Sequence, residues 1–305
     1  MISTIRKTRA TWLIAAMLLA SAAHAKLNVV TTTPDLAAMT KAIGGNEIAV
    51  TCIGKPSEDP HYIQAKPSFI VALNRADVLI VVGMELEVGW LPALQKQTRN
   101  ARVQTGGTGY VDASEGVPAL DVPTAPVTRA QGDVHPLGNP HYLLDPEAGK
   151  IAARNIAAGL KRAAPDKAAE FDRGLAKLLA DIDAAMHDAQ QRLAPFRGAR
   201  LITYHRSFTY FAARYGLNVV AQIEPKPGIP PSPAHLVAVA ELMKREGAKL
   251  ILQEPWHERR TAELLAQQTG AKVLVVPVQT GADPAAPDYP SAIKWIAEKV
   301  AEALK

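Results

Sequence analysis

The strongest constraint on the fold of this chain is an alternation of short β-branched runs with helical patterns that occurs twice, in the same order. In the first half, Leu27–Thr32 reads as a strand and a helix opens at Thr33-Pro34-Asp35, with proline in the first turn. Gly44-Gly45 ends that helix. Ile48–Ile53 is a second strand, Pro67–Asn74 a short helix and Val78–Val82 a buried strand. In the second half, Leu201–Thr203 is a strand, Ser207–Tyr215 a helix, Val219–Ile223 a strand, Leu236–Arg245 a helix and Leu250–Leu252 a strand. Lys55-Pro56 aligns with Lys226-Pro227, and Leu79-Ile80 with Leu250-Ile251, at one common offset. Strands alternating with helices imply an α/β fold with mostly parallel sheets covered by helices, here in two similar lobes.

Between the halves the period changes to that of a helix. Pro146–Ala163 is one helix, and Pro165 starts another that runs to about Arg192, with Phe171, Leu175, Leu178, Ile182 and Met186 at helical spacing. A single helix of that length, about 40 Å at 1.5 Å per residue, would join the lobes as a stiff spine rather than a hinge. Residues 106–136, rich in Gly, Pro, Thr and Ala, read as a long loop near the end of the first lobe. The expected organisation is therefore 1–25 as a leader, 26–145 as an N-terminal lobe, 146–196 as connecting helices and 197–305 as a C-terminal lobe.

The leader assignment rests on basic Arg6, Lys7 and Arg9, an apolar Leu13–Ala20 run and an Ala23-His24-Ala25 cleavage pattern. The apolar run is too short to span a bilayer, and no cysteine stands at the cleavage site to take a lipid. The expectation is export to the periplasm without a lipid anchor or stable membrane insertion, as a monomer. Taking the leader's three basic residues from the formal charge of +5 leaves about +2, too little to argue for nucleic acid as a partner. The single cysteine, Cys52, lies in an apolar β-like run and reads as a buried structural thiol. A transition-metal site must therefore be built from histidine and carboxylate.

Histidines are where such a site can be sought. His24 leaves with the leader, His187 reads as solvated on the long helix, and His235 as a first-turn residue. His257 follows a buried strand and could line a pocket. Four others fall in loops: His61 in Asp59-Pro60-His61-Tyr62, His141 in Asn139-Pro140-His141-Tyr142, His205 in Tyr204-His205-Arg206, and His135 in Asp133-Val134-His135-Pro136. The proline before His61 and before His141 removes a donor and holds the chain extended, which helps to aim the imidazole. Open α/β sheets bind ligands at the carboxyl ends of their strands, where loops from two facing lobes can bring histidines together.

These residues resemble the metal-specific solute-binding proteins of ABC importers that carry zinc or manganese, and the resemblance runs along the whole chain after the leader. Asp59-Pro60-His61-Tyr62, then Asn139-Pro140-His141 with Leu144-Asp145-Pro146, look like the family's first two histidine motifs. Tyr204–Phe211, continuing to Arg214-Tyr215-Gly216, looks like its third. The resemblance implies two α/β lobes joined by a rigid long helix, with the metal site in the cleft between them. It implies His61, His141 and His205 as ligands, a zinc ion as cargo and a membrane permease as partner.

The family's fourth, acidic ligand has no counterpart in register in Val275–Asp283. Glu224 is preferred for that position, with Asp283 or water as alternatives, and His135 as an accessory. A nitrogen-dominated four-coordinate site suits zinc better than manganese. Manganese or iron capture by the same kind of protein is the nearer alternative; a three-histidine zinc hydrolase and an adhesin with a structural metal are the alternatives of other classes. No His-Glu-x-x-His helix and no nucleophile elbow stands in the sequence to support catalysis.

Overall fold

The structure, a computed structural model, describes residues 26–127, 132 and 134–305. The leader expected over 1–25, with His24, and the Asp133 noted beside His135 lie outside the described residues. Two four-stranded parallel sheets carry the fold. The first is built from β1 (Leu27–Thr31), β2 (Ile48–Cys52), β3 (Val78–Val81) and β4 (Tyr110–Asp112), in the order β2-β1-β3-β4. The second is built from β5 (Arg200–Thr203), β6 (Asn218–Gln222), β7 (Leu250–Gln253) and β8 (Lys272–Val275), in the order β6-β5-β7-β8. The two orders are the same, so the duplication read from the sequence is a duplication of topology. One expectation needs correcting: the 106–136 stretch is not all loop, because Tyr110–Asp112 pairs in parallel with β3 as an edge strand.

Helices α1 (Pro34–Gly44), α2 (Pro67–Arg75) and α3 (Leu91–Gln97) belong to the first lobe. Helices α6 (Thr209–Tyr215), α7 (Pro233–Glu246), α8 (Arg259–Thr269) and α9 (Tyr289–Leu304) belong to the second. Between them run α4 (Pro146–Ala163) and α5 (Ala168–Leu193), the latter 26 residues long. At 1.5 Å per residue α5 is about 39 Å long.

Side-chain alternation along the strands divides the core into three. Val30, Leu79 and Val81 face outward in the first lobe to meet Leu73, Trp90 and Leu94. Ile202 and Ile251 do the same in the second, against Val239, Met243 and Leu265. The opposite faces, with Val29, Val78 and Ile80 from one sheet and Leu201, Leu250 and Leu252 from the other, belong to a single core that takes in α1, α4, α5 and α9. Phe171, Leu178 and Ile182 of α5 are buried in it, each contributing about 1.5–3 kcal/mol by leaving water. The spine is thus part of the shared core and packs on α1 from one lobe and α9 from the other.

Hydrogen bonds close the rest of the seam between the lobes. Thr280 donates its backbone N–H (2.8 Å) and its hydroxyl to Asp35 Oδ1. Tyr289 donates to the Leu143 carbonyl (2.7 Å), and Tyr210 to the Asn139 carbonyl (3.0 Å). Arg214 grips both oxygens of Asp145 (2.6 and 2.8 Å), while the same carboxylate caps α4 by accepting from Glu147 N. Two-point guanidinium–carboxylate pairs of this kind fix orientation as well as distance.

The contact between α1 and α5 is close enough to need a residue without a side chain. A Cβ added at Gly174 would strike the backbone carbonyl of Ile43, which cannot swing aside. Gly174→Val is therefore expected to lower stability by about 1–3 kcal/mol through overpacking, read as a thermal midpoint several degrees below wild type. Helix propensity alone would leave the midpoint level or slightly raised, so an unchanged midpoint would show that this packing does not limit stability.

Candidate metal centre

Each lobe presents histidine from the carboxyl end of a strand. His205 follows β5 directly, and His61 lies in the loop that leaves β2. His141 precedes a 3-10 turn, Tyr142–Leu144, that leads into α4. These three bring one ring nitrogen each to within 4.8 Å of one another. Their ring centres are 5.1 Å (His141–His205), 5.2 Å (His61–His141) and 5.4 Å (His61–His205) apart.

The first two are aimed by one device used twice. Asp59 Oδ1 accepts from His61 N (3.0 Å) and faces His61 Nδ1 at 2.7 Å. Asn139 Oδ1 accepts from His141 N (3.0 Å) and faces His141 Nδ1 at 2.8 Å. An Asx side chain that bonds the backbone two residues on is a standard turn, and the proline between presets φ for it. In Asp-Pro-His and Asn-Pro-His the same oxygen thus holds both the backbone and the ring of the histidine. His205 is held from a distance instead: Glu224 Oε2 lies 2.8 Å from its Nδ1 and also accepts from Gly228 N.

These partners settle which nitrogen carries the proton. A carboxylate can only accept, so Nδ1 of His61, against Asp59, and Nδ1 of His205, against Glu224, donate. Asn139 Nδ2 already donates to Asp121 Oδ2 (3.0 Å) and to the Arg206 carbonyl (2.9 Å), so its Oδ1 is the atom turned to His141 Nδ1. In its neutral form each of the three imidazoles therefore has its lone pair on Nε2, the nitrogen left for the centre of the cluster. That is the arrangement in which a metal-binding histidine uses its other nitrogen to fix tautomer and orientation.

Electrostatics follow from the crowding. Burial, then the neighbouring His205 and His61, hold the His141 pKa well below the usual imidazole range. Burial and the same two rings push His135 down to about 3. Burial alone would lower His205 as well, but its contact with Glu224 and the charge of Glu254 outweigh it and raise the pKa. For Asp59 burial favours the neutral acid, yet the His61 hydrogen bond prevails and lowers the pKa. A set of mostly neutral nitrogens backed by carboxylates is suited to a divalent cation.

The other histidines and acids that the sequence brings into consideration separate cleanly. Glu224 is not among the gathered ligand atoms; its carboxylate stands behind His205. Asp283 Oδ1 caps its own turn at Ala285 N and is likewise outside the group. His135 stands beside it, its ring 5.4 Å from His61. His187 is exposed and bonds Gln191, and His235 Nε2 faces the Gln222 carbonyl at 3.3 Å. His257 does line the cleft, a space of about 410 Å³ that it shares with His61, His205 and Glu224. Its ring stacks on Tyr204 at 4.1 Å, with Nε2 3.4 Å from the fully buried Glu254. Reading the sequence misses Glu254, although a charged residue at the end of a largely apolar strand is a signal for it.

A family model described as the periplasmic component A of the zinc-uptake complex, ZnuA, matches residues 29–303. The chain belongs to this family. It is 26% identical over 310 residues to the high-affinity zinc uptake system protein ZnuA of Paracoccus denitrificans, covering 90% of this chain and 91% of that one. It is 25% identical to the manganese ABC transporter substrate-binding lipoprotein PsaA of Streptococcus pneumoniae, covering 92% of this chain and 89% of that one. Some zinc-binding relatives are longer, and the chain spans 50% of their length. A crystal structure of ZnuA superposes with a TM-score of 0.76 at 25% identity, over 92% of this chain and all of that one. The two-lobe α/β fold and the zinc-uptake family expected from the sequence are thereby established. Among the described residues no helix is long and apolar enough to cross a membrane.

The hydrogen-bond pattern makes a direct spectroscopic prediction. In ¹⁵N-resolved spectra of the metal-free protein His141 is expected to be the neutral Nδ1–H tautomer, and to remain neutral below pH 6.5, the ordinary imidazole midpoint. In Asn139→Ala the Nδ1 partner is gone and a mixture of tautomers should appear. A wild-type Nε2–H tautomer would contradict the assignment.

Proposed function

We propose that this protein captures a zinc ion with Nε2 of His61, His141 and His205 and delivers it to the membrane permease of an ABC importer. The observation that carries the proposal is the convergence of three ring nitrogens, each belonging to an imidazole whose other nitrogen is already committed to an acceptor. Membership of a zinc-uptake family supplies the transport context. In this reading residues 26–145 and 197–305 are the two lobes and 146–196 the connection, and the cleft between the lobes lies in the periplasm. The chain acts alone as a monomeric carrier, without catalysis.

Glu224 and Asp59 contribute as anionic acceptors behind the ligands rather than as ligands. Paired with a dication they leave the site close to neutral, which lowers the cost of burying the charge. Nitrogen donors in this number favour zinc over manganese, which takes oxygen-rich sites of higher coordination. The folded frame does not depend on the ion, since the core lies along α4, α5 and α9, well represented by residues remote from the histidines.

Two measurements test this. In zinc titrations against a competing chelator, His61→Ala, His141→Ala and His205→Ala should each weaken binding by about 100-fold or more, a quarter share of the roughly 10–16 kcal/mol typical of tight zinc sites. Glu224→Ala should weaken it by about 10- to 100-fold, as loss of an outer partner does. The metal-free wild type should give the same far-ultraviolet circular dichroism as the loaded protein. A histidine variant with wild-type affinity would remove that residue from the site, and an unfolded metal-free form would mean a structural metal instead of a cargo.

A further inference from the structure

The three histidines leave one corner of a tetrahedron to be filled, and neither Glu224, Asp283 nor His135 lies within the 4.8 Å that groups their ring nitrogens, so the fourth donor has to move in when the ion arrives. Within the described residues a fourth imidazole stands next to the group, beside one of its members. The His135 ring lies 5.4 Å from His61, as far as His61 lies from His205. His135, His141 and His205 together line a small cavity of about 30 Å³, enough for a single water-sized guest. The other nearby ring, His257, is further off, 6.1 Å from His205, and its Nε2 lies 3.4 Å from Glu254 without a hydrogen bond.

His135 is also prepared in the same manner as the other three. A ring N–H of His135 donates to the Glu85 carbonyl. Its Nε2 is buried and has no hydrogen-bond partner among the described residues, so the donor is Nδ1. His61 Nε2 is in the same condition. The acceptor at Glu85 is held at some conformational expense. Gly83, Met84 and Glu85 follow one another at φ of 84°, 50° and 65°, and two of them are not glycine. Side chains rarely stay in that region unless the surroundings hold them there. Here the Glu87 carboxylate does so, accepting from Val82 N (2.7 Å), Gly83 N (3.2 Å) and Thr32 Oγ1 (2.7 Å).

Resting on the zinc-capture reading above, we infer that His135 supplies the fourth ligand, through Nε2, and that the site is a four-histidine site. The Gly83–Glu85 turn is then the outer support of this ligand, doing through a main-chain carbonyl what Asp59, Asn139 and Glu224 do through side chains. The segment just before His141 thereby becomes part of the metal site, and the metal ties it to both lobes. A fourth nitrogen in place of an oxygen donor gives an all-imidazole set that favours zinc further over oxygen-seeking cations.

X-ray absorption of the zinc-loaded full chain counts imidazole ligands without any substitution. Four imidazoles at a single shell are expected in the wild type. His135→Ala should give three imidazoles with one oxygen donor, and zinc affinity lower by about tenfold or more, at least what loss of an outer partner costs. Three imidazoles in the wild type, with His61→Ala abolishing tight binding, would overturn the inference and leave the zinc-capture reading standing. Wild-type affinity and ligand count in His135→Ala would likewise overturn it. Failure of the wild type to bind zinc stoichiometrically would sink both.

Discussion

What the rest of the site depends on is the hydrogen bond at the back of each imidazole. A histidine ring has two nitrogens and two tautomers, and it can rotate about two bonds. Three rings packed with centres little more than 5 Å apart would, left free, turn N–H groups toward one another or drift to water. Asp59, Asn139 and Glu224 each accept from Nδ1 and so decide the tautomer, the ring direction and the face that the lone pair presents. The acceptors are themselves anchored: Asn139 to Asp121 and Arg206, Glu224 to Gly228. The anchoring crosses the seam between lobes, because Asn139 comes from the first and Arg206 from the second. Ligand geometry is thereby linked to how the lobes are seated.

The lobes are seated by burial as much as by polar contacts. One continuous core runs from the inner face of the first sheet through α4 and α5 to the inner face of the second. The parallel topology accounts for where the histidines lie. In both sheets one of the two inner strands, β1 or β5, ends toward the cleft, and the chain leaves it through loops that carry Thr32 and His205. Duplicated topology gives two such edges, and facing them across a shared core places the histidine cluster between them.

Much of this is legible in the residues because it rests on local chemistry. Strand and helix alternation, proline at helix starts and the repeated Asx-Pro-His tripeptide are signals within a few residues of one another. The edge strand β4 is not legible: three residues in a stretch of glycine and threonine have no period, and only β3 beside them makes them a strand. Glu224 can be read from the sequence as a residue near the cleft, and the structure puts it there. Whether its carboxylate faces the centre of the cluster or the back of a ring is decided by the fold of the chain between it and His205. Glu254 shows the same limit, since what lies against it is His257, a ring held in place by stacking on Tyr204.

The stiff α5 also bears on which ions the protein accepts. A binding protein that closes by a hinge can bring its ligands inward or outward to suit ions of different radius. Here any change in the separation of the lobes would have to pull α1 or α9 away from a helix they share, or break the Asp35–Thr280 and Asp145–Arg214 links. The histidine cluster is therefore of nearly fixed aperture. An ion held by these rings whose preferred bond lengths or coordination number differed from what they offer would gain little from adjustment, and discrimination among metals with similar intrinsic affinities would then come from the frame's refusal to follow them.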